Sequence, residues 1–303
     1  MKVLVLGASG AIGFPVSQAL VRAGHEVYAQ TRDEKKRTLF ESEEFTPIVL
    51  DPTADKSWSK LVPTVDAVID TLGGTTPINT LALENVQEAE RAAKESRNAT
   101  ASKLTYIWTS GTWIHGEDRL SLSSDGSAIE HAPALTAWRP SVEQPLIKST
   151  ILNGIVIRPS MLYGRGGSIF GSFIGQAAKG GPVYLPGDEG VRFATVHADD
   201  LAQCYRLAVE KAPIAAGNIF DASNAYTVPL LGFIHQLSAV SGLSLDKFVI
   251  KKPEGAFEAA VATTSNVRPT LARSLLGWET LKPSLIDGLA TYYRACIAND
   301  KLS

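Results

Sequence analysis

The sequence predicts an α/β fold, a doubly wound parallel sheet with a smaller, mostly helical lobe. Three features of the 303-residue chain predict it. Through the first half, short runs rich in Val, Ile and Leu alternate with stretches whose apolar residues recur at helical spacing. A glycine-rich turn ends the first of those runs. After Arg158 the alternation gives way to a Gly- and Pro-rich stretch, then to mainly helical sequence.

Lys2–Leu6 is apolar after its first residue, as a strand buried on both faces requires. Val16, Ala19, Leu20 and Ala23 follow at helical spacing; Pro15 stands where a first turn tolerates proline, and Gly24 supplies a stop. Further strands are expected over 25–31, 46–50 and 67–71, a helix over 83–96, and fifth and sixth strands over 104–108 and 154–157. Strand, helix, strand in repetition implies right-handed crossovers. Residues 164–190 suit a lid or insertion, 196–209 a returning helix, 218–222 one more strand, and 226–303 a mainly helical region. The expected division is 1–163 plus 191–224 in the sheet domain, and 164–190 plus 225–303 in the smaller, substrate-binding lobe.

Composition excludes several classes. Hydrophobic residues make up 45% and charged residues 20%, enough to build a sizeable core. The net charge is -2 without a dense basic cluster, so nucleic acid is not an expected partner. Cys204 and Cys296 are isolated and read as reduced packing residues. His197 and Asp199 have no ligand partners at recognisable spacing, so no metal is expected. The chain opens on a strand, and no apolar run approaches the ~20 residues of a membrane helix. A cytoplasmic protein with no membrane partner is the expectation.

The turn Gly7-Ala8-Ser9-Gly10-Ala11-Ile12-Gly13 lies where the first strand becomes the first helix. Small residues there let the backbone turn tightly and approach a pyrophosphate, which the free N–H groups of a helix N-terminus would hold. The plain alternative is a tight turn with no ligand. The G-x-x-G-x-x-G spacing between a strand and a helix favours a dinucleotide over Gly7, Ser9, Gly10, Ala11, Ile12 and Gly13, hence a Rossmann-type domain.

The opening Val3-to-Gly13 segment resembles the extended short-chain dehydrogenase/reductase superfamily, also called the NAD-dependent epimerase/dehydratase family. Further landmarks carry the resemblance: Asp51, Thr71-Leu72-Gly73, Thr109-Ser110-Gly111, Arg158-Pro159-Ser160-Met161-Leu162-Tyr163-Gly164, Val196-His197-Ala198-Asp199-Asp200-Leu201-Ala202 and Leu276-Gly277-Trp278. The resemblance implies that Asp51 approaches the adenine and that Thr71, Leu72 and Gly73 follow the ribose and phosphates. It also implies that Thr109 joins the cofactor site and that Pro159, Ser160 and Met161 flank the nicotinamide. Relatives often dimerise through the helices after the fourth and fifth strands, so a homodimer is an option.

An NAD site normally has a carboxylate at the end of the second strand, for the adenosine ribose. Thr31 stands there, followed by Arg32, with Lys35 and Lys36 nearby. A neutral side chain and a guanidinium suit a 2′-phosphate, which makes NADP(H) the expected cofactor. The alternative is a solvated charge run whose Asp33 and Glu34 cancel part of the field.

The same resemblance exposes a gap. Typical members carry a Ser or Thr after the fifth strand and a Tyr-x-x-x-Lys on the next helix, which handle the proton accompanying hydride transfer. Here Gly111 stands at the hydroxyl position, flanked by Ser110 and Thr112; Arg139 stands for the tyrosine and Glu143 for the lysine. Arg139 and Glu143 read either as an ordinary i,i+4 helix pair or as substrate-binding groups in the vacated site. Ser110, Thr112, His115 and Tyr163 are the candidates for catalytic work. Trp113, Phe170 and Arg192 are candidate substrate contacts, the arginine suiting an anion. The expected activity is NADP(H)-dependent reduction of a small carbonyl-type substrate. The alternatives are a non-catalytic NADP(H) sensor, or a lyase or isomerase that retains the cofactor.

Overall fold

The computed structural model describes residues 1–74, 77–98, 100–166 and 168–300. In chain order the strands are β1 (Lys2–Leu6), β2 (Glu26–Thr31), β3 (Thr46–Val49), β4 (Ala67–Asp70), β5 (Thr105–Thr109), β6 (Asp118–Ser124), β7 (Asn153–Pro159), β8 (Met161–Tyr163), β9 (Val183–Pro186), β10 (Arg192–His197), β11 (Ile219–Ala222), β12 (Thr227–Pro229), β13 (Phe248–Lys251) and β14 (Ser265–Arg268). The helices are α1 (Gly13–Arg22), α2 (Arg37–Ser42), α3 (Ile78–Ser96), α4 (Pro140–Ile147), α5 (Ile169–Ala178), α6 (Ala198–Glu210), α7 (Ala212–Ala215), α8 (Leu230–Ser241), α9 (Gly255–Val261), α10 (Thr270–Leu276) and α11 (Leu289–Asp300).

Seven strands form one parallel sheet in the order β11-β7-β5-β4-β1-β2-β3. The two-residue side-chain period of a strand divides its apolar residues between two layers. Val3, Val5, Ile69, Ile107 and Ile157 pack under Val16 and Leu20 of α1 and Leu201 and Tyr205 of α6. Leu4, Leu6, Val68, Tyr106 and Trp108 face Val86 and Ala89 of α3 and Val142 and Leu146 of α4. The expected doubly wound sheet is thus present, and both of its faces are buried.

A second apolar cluster joins Phe170 and Phe173 of α5, Phe193 of β10, Phe233 of α8 and Tyr292 of α11. Short strands accompany these helices: β10 pairs with β8 and β12, and β13 with β9. Residues 192–197, expected in part to begin a helix, are a strand that hands over to α6 at His197. The C-terminal segment serves both clusters, because Ala272, Leu276 and Trp278 pack into the layer under α1 and α6. No described helix is long and apolar enough to cross a membrane.

Candidate active site

The strand order reverses between β1 and β4, and the carboxyl ends of the strands open there into a groove. At its centre lies the glycine turn. Gly7 has φ 78°, a conformation that side chains resist, and a Cβ there would press on the Thr71 carbonyl. A Cβ on Gly13 would overlap the Gly7 carbonyl oxygen. Gln30 fastens the turn: its Oε1 accepts from Gly7 N at 2.8 Å while its Nε2 donates to Leu50 O at 2.7 Å. Among the described residues, the amides of Ser9, Ala11 and Ile12 have no protein acceptor, and no side chain caps α1. These free donors at a helix N-terminus fit a pyrophosphate.

On the β2 side, Gly7, Ser9, Gly10, Thr31, Arg32, Thr71, Leu72 and Gly73 line a hollow of about 140 Å³ with Gln30, Pro52, Thr53 and Leu81. Thr31 is buried, with its Oγ1 3.3 Å from Ser9 Oγ. Arg32 makes no hydrogen bond or ion pair among the described residues. Asp51 lies just outside the hollow, its carboxyl held below the usual range chiefly by hydrogen bonds from Thr53. Lys36 lines a larger neighbouring groove between the glycine turn, α2 and α11. One buried carboxylate escaped sequence reasoning. Asp70 accepts from Leu72 N, Asn85 Nδ2 and Tyr106 Oη, which shapes the turn after β4, and burial pushes its pKa up.

On the other side of the turn is a cleft of about 280 Å³. Ala11, Ile12, Ser110, Gly111, Thr112, Trp113, Arg139, Pro159, Ser160 and Met161 line it, and Ser168 and Ile169 at the start of α5 add a wall from the second lobe. Of the catalytic and substrate-binding candidates, this cleft gathers Ser110, Thr112, Trp113 and Arg139. Thr112 Oγ1 lies 3.4 Å from Ser160 Oγ. Trp113 is held edge-on against Phe257 of α9. Thr109 sits just behind the cleft, its hydroxyl 2.7 Å from both Asp70 O and Tyr205 Oη.

Arg139 stands at the N-cap of α4 and Glu143 in its first turn, but the two do not pair. Glu143 is buried, takes two hydrogen bonds from Arg158 on β7 (2.9 and 2.5 Å) and accepts from Ser110 Oγ at 2.5 Å. Although burial works against the charge, Glu143 and then Asp221 hold the Arg158 pKa above its usual range. The Arg139 guanidinium instead lies 5.8 Å from the Trp108 ring and 5.1 Å from that of Trp138, a cation–π arrangement. Its Nη1 reaches Thr109 O only at 3.5 Å, and its buried Nε has no partner among the described residues. Burial pushes the Arg139 pKa down to about 10, still charged at neutral pH.

Other candidates lie outside the cleft. His115 is turned inward, Nε2 2.8 Å from Asp221 Oδ2, because a carboxylate buried on β11 needs a partner. Tyr163 faces the second lobe: its hydroxyl donates to Pro283 O at 3.0 Å and accepts from Asn224, its ring packs on His197 and Tyr292, and burial raises its pKa. Phe170 is a core residue packed on Phe193 and Phe233. Arg192, at the exposed start of β10, donates to Thr227 Oγ1 at 2.8 Å.

Fold and groove together define a dinucleotide-binding protein of Rossmann type. A family model described as NAD(P)H-binding matches residues 7–167, more than half of the chain, and the chain belongs to that family. It is similar to the 3-diazoavenalumate denitrifying reductase of a Streptomyces species, 28% identical over 95% of this chain and 99% of the relative. It is also similar to the 2-alkyl-3-oxoalkanoate reductase of Stenotrophomonas maltophilia, 26% identical over 80% of this chain and 76% of the relative. Among solved structures, the UDP-glucuronic acid 4-epimerase of Bacillus cereus in complex with UDP-glucuronic acid and NAD shares the fold, with TM-score 0.81 and 21% identity over 99% of this chain and 100% of that one. The chain is thus a member of an NAD(P)H-binding family and has the fold of that epimerase.

Proposed function

We propose that the protein is an NADP(H)-dependent reductase acting on a polarised bond of a small substrate in the 280 Å³ cleft. The observation that carries this reading is the groove that runs from Arg32, past the glycine turn, to Ser110 and Arg139, with no carboxylate at the end of β2. Two relatives that bear the name reductase support the direction. Arg32 holds the 2′-phosphate through charge-assisted hydrogen bonds, and the amides of Ser9, Ala11 and Ile12 hold the pyrophosphate. The nicotinamide, when bound, supplies a hydride. Pro159, Ser160 and Met161 wall one side of the cleft, while Ser110, hydrogen-bonded to Glu143, orients the acceptor with Thr112. Water brings the proton, since among the described residues the cleft lining includes no His, Tyr, Asp, Glu, Lys or Cys.

Equilibrium titration with NADPH and NADH tests the cofactor half. NADPH binds at least about tenfold tighter, and Arg32→Ser removes most of that preference, as loss of charged hydrogen bonds worth roughly 1.5–3 kcal/mol requires. Equal affinities would remove the NADP assignment. A carbonyl panel monitored by NADPH absorbance tests the reaction. The missing titratable donor in the cleft also favours a second reading, an NADP(H)-binding regulator. Tight NADPH binding with oxidation at background across the panel is the outcome that would select it.

A further inference from the structure

Arg139 is the one charged residue in the cleft lining among the described residues. Arg139 lines the cavity, its guanidinium lies beside the contacting rings of Trp108 and Trp138, and its buried Nε has no partner among the described residues. The carboxylate that acts on it, Glu143, accepts its hydrogen bonds from Arg158 and Ser110 instead. A half-buried cation that makes no ion pair among the described residues is costly to desolvate, and an incoming carboxylate offsets that cost through paired, charge-assisted hydrogen bonds.

Gly111 gives an independent indication. Its φ of 179° is ordinary extended backbone, so nothing in the chain conformation calls for glycine. A Cβ there would meet only Pro159 O at 3.8 Å and Arg139 Cζ at 3.9 Å, both normal contacts. The missing side chain therefore leaves free a position beside the guanidinium, 3.9 Å from Arg139 Cζ, where the family's hydroxyl residue would stand. The rest of the lining includes Trp113, Met161, Leu162 and Ile169, an apolar wall.

Resting on the reductase reading, we propose that Arg139 anchors the carboxylate of an apolar carboxylic-acid substrate, with Gly111 keeping its approach open. Arg139 is then a binding residue, which replaces a proton donor with a fixed positive charge. The substrate is a planar anion with an aryl or alkyl body against Trp113 and Ile169, and its reducible bond lies beside Ser110.

Isothermal titration with benzoate and its neutral isostere benzamide tests this, on the protein saturated with NADP⁺ and again without cofactor. Benzoate is expected to bind about tenfold or more tighter than benzamide, the discrimination a charged hydrogen-bonding site provides. Arg139→Gln abolishes that preference. Gly111→Ala keeps the unfolding temperature and weakens benzoate about fivefold or more, as a methyl group placed beside the guanidinium requires; it also serves if the arginine variant fails to fold. Equal binding of benzoate and benzamide by the unaltered protein, or unchanged benzoate affinity in Gly111→Ala, overturns the proposal. Failure of NADP⁺ to bind removes the cofactor reading instead, and the cofactor-free titration still decides the role of Arg139.

Discussion

Glu143, which the sequence suggested as a replacement for the family's lysine, does internal work in the structure. With side chains almost wholly buried, Glu143 and Arg158 make a two-pronged pair that Ser110 completes. Removing one member of such a pair strands a buried charge, which costs about 3–5 kcal/mol. Glu143→Ala is therefore expected to lower the unfolding free energy by about that much, and Glu143→Gln by less, because an amide oxygen still accepts from Arg158. Urea unfolding of the variants checks it; a loss below about 1 kcal/mol for the alanine variant would mean that Arg158 re-pairs with Asp221, now 3.9 Å away. The sequence identified Arg139 and Glu143 as displaced catalytic positions but offered no route to this pairing. The i,i+4 rule concerns neighbours on one helix, whereas Arg158 approaches from β7, brought in by the packing of α4 on the sheet. Gly111 was legible as an absence, but its consequence needed the neighbouring guanidinium in space.

At the scale of elements, the hand-over from β10 to α6 repeats the lesson. The sheet was legible because both its faces are buried, so β1, β4 and β7 read as short Val, Ile and Leu runs and β5 as the apolar run Tyr106-Ile107-Trp108. Residues 196 and 197 misled because the residue that caps α6 is a histidine: His197 Nδ1 accepts from Asp199 N at 3.0 Å, where a Ser, Thr, Asp or Asn would have announced the helix start. β12, β13 and β14 are three or four residues each, too short to show a period of two against helical surroundings. The same cap gives a pH signature. Burial holds the His197 pKa below its ordinary 6.5, so the unfolded chain takes up a proton there more readily than the folded one. Its contribution to stability is present above pH 6.5 and is lost as pH falls through the depressed native value. His197→Asn keeps a capping acceptor but neither titrates nor fills the space against Tyr163 and Tyr292. The variant is expected to be about 1–3 kcal/mol less stable at pH 8, and the gap narrows as pH is lowered below 6. A gap constant across urea titrations from pH 8 to about 5.5 would show that the proton is taken up equally in both states.

Over the whole molecule, the two apolar clusters are tied by the chain's last segment. Trp278 is buried in the layer under α1 and α6, its Nε1 donating to Asp200 O at 2.7 Å, while the amides of Leu281 and Lys282 donate to the Asp200 carboxylate at 3.1 Å. A few residues later Leu289, Tyr292 and Cys296 enter the second cluster. The cleft has the same double parentage, with Ser110 and Pro159 from the sheet and Ser168 and Ile169 from the second lobe. Losing either lobe therefore unmakes the other's packing, and a single cooperative thermal transition is expected. A ligand that binds only the folded protein at about one hundred times its dissociation constant adds about 2.7 kcal/mol. For a chain of this length the unfolding entropy converts that into a rise of about 4 °C. NADPH at a concentration one hundred times its measured constant should thus move the whole transition upward by that amount. NADH at the same concentration should move it less, and Arg32→Ser should shrink the difference. Two transitions of which only one follows NADPH would show instead that the lobes unfold separately and that the Asp200 and Trp278 contacts do not couple them.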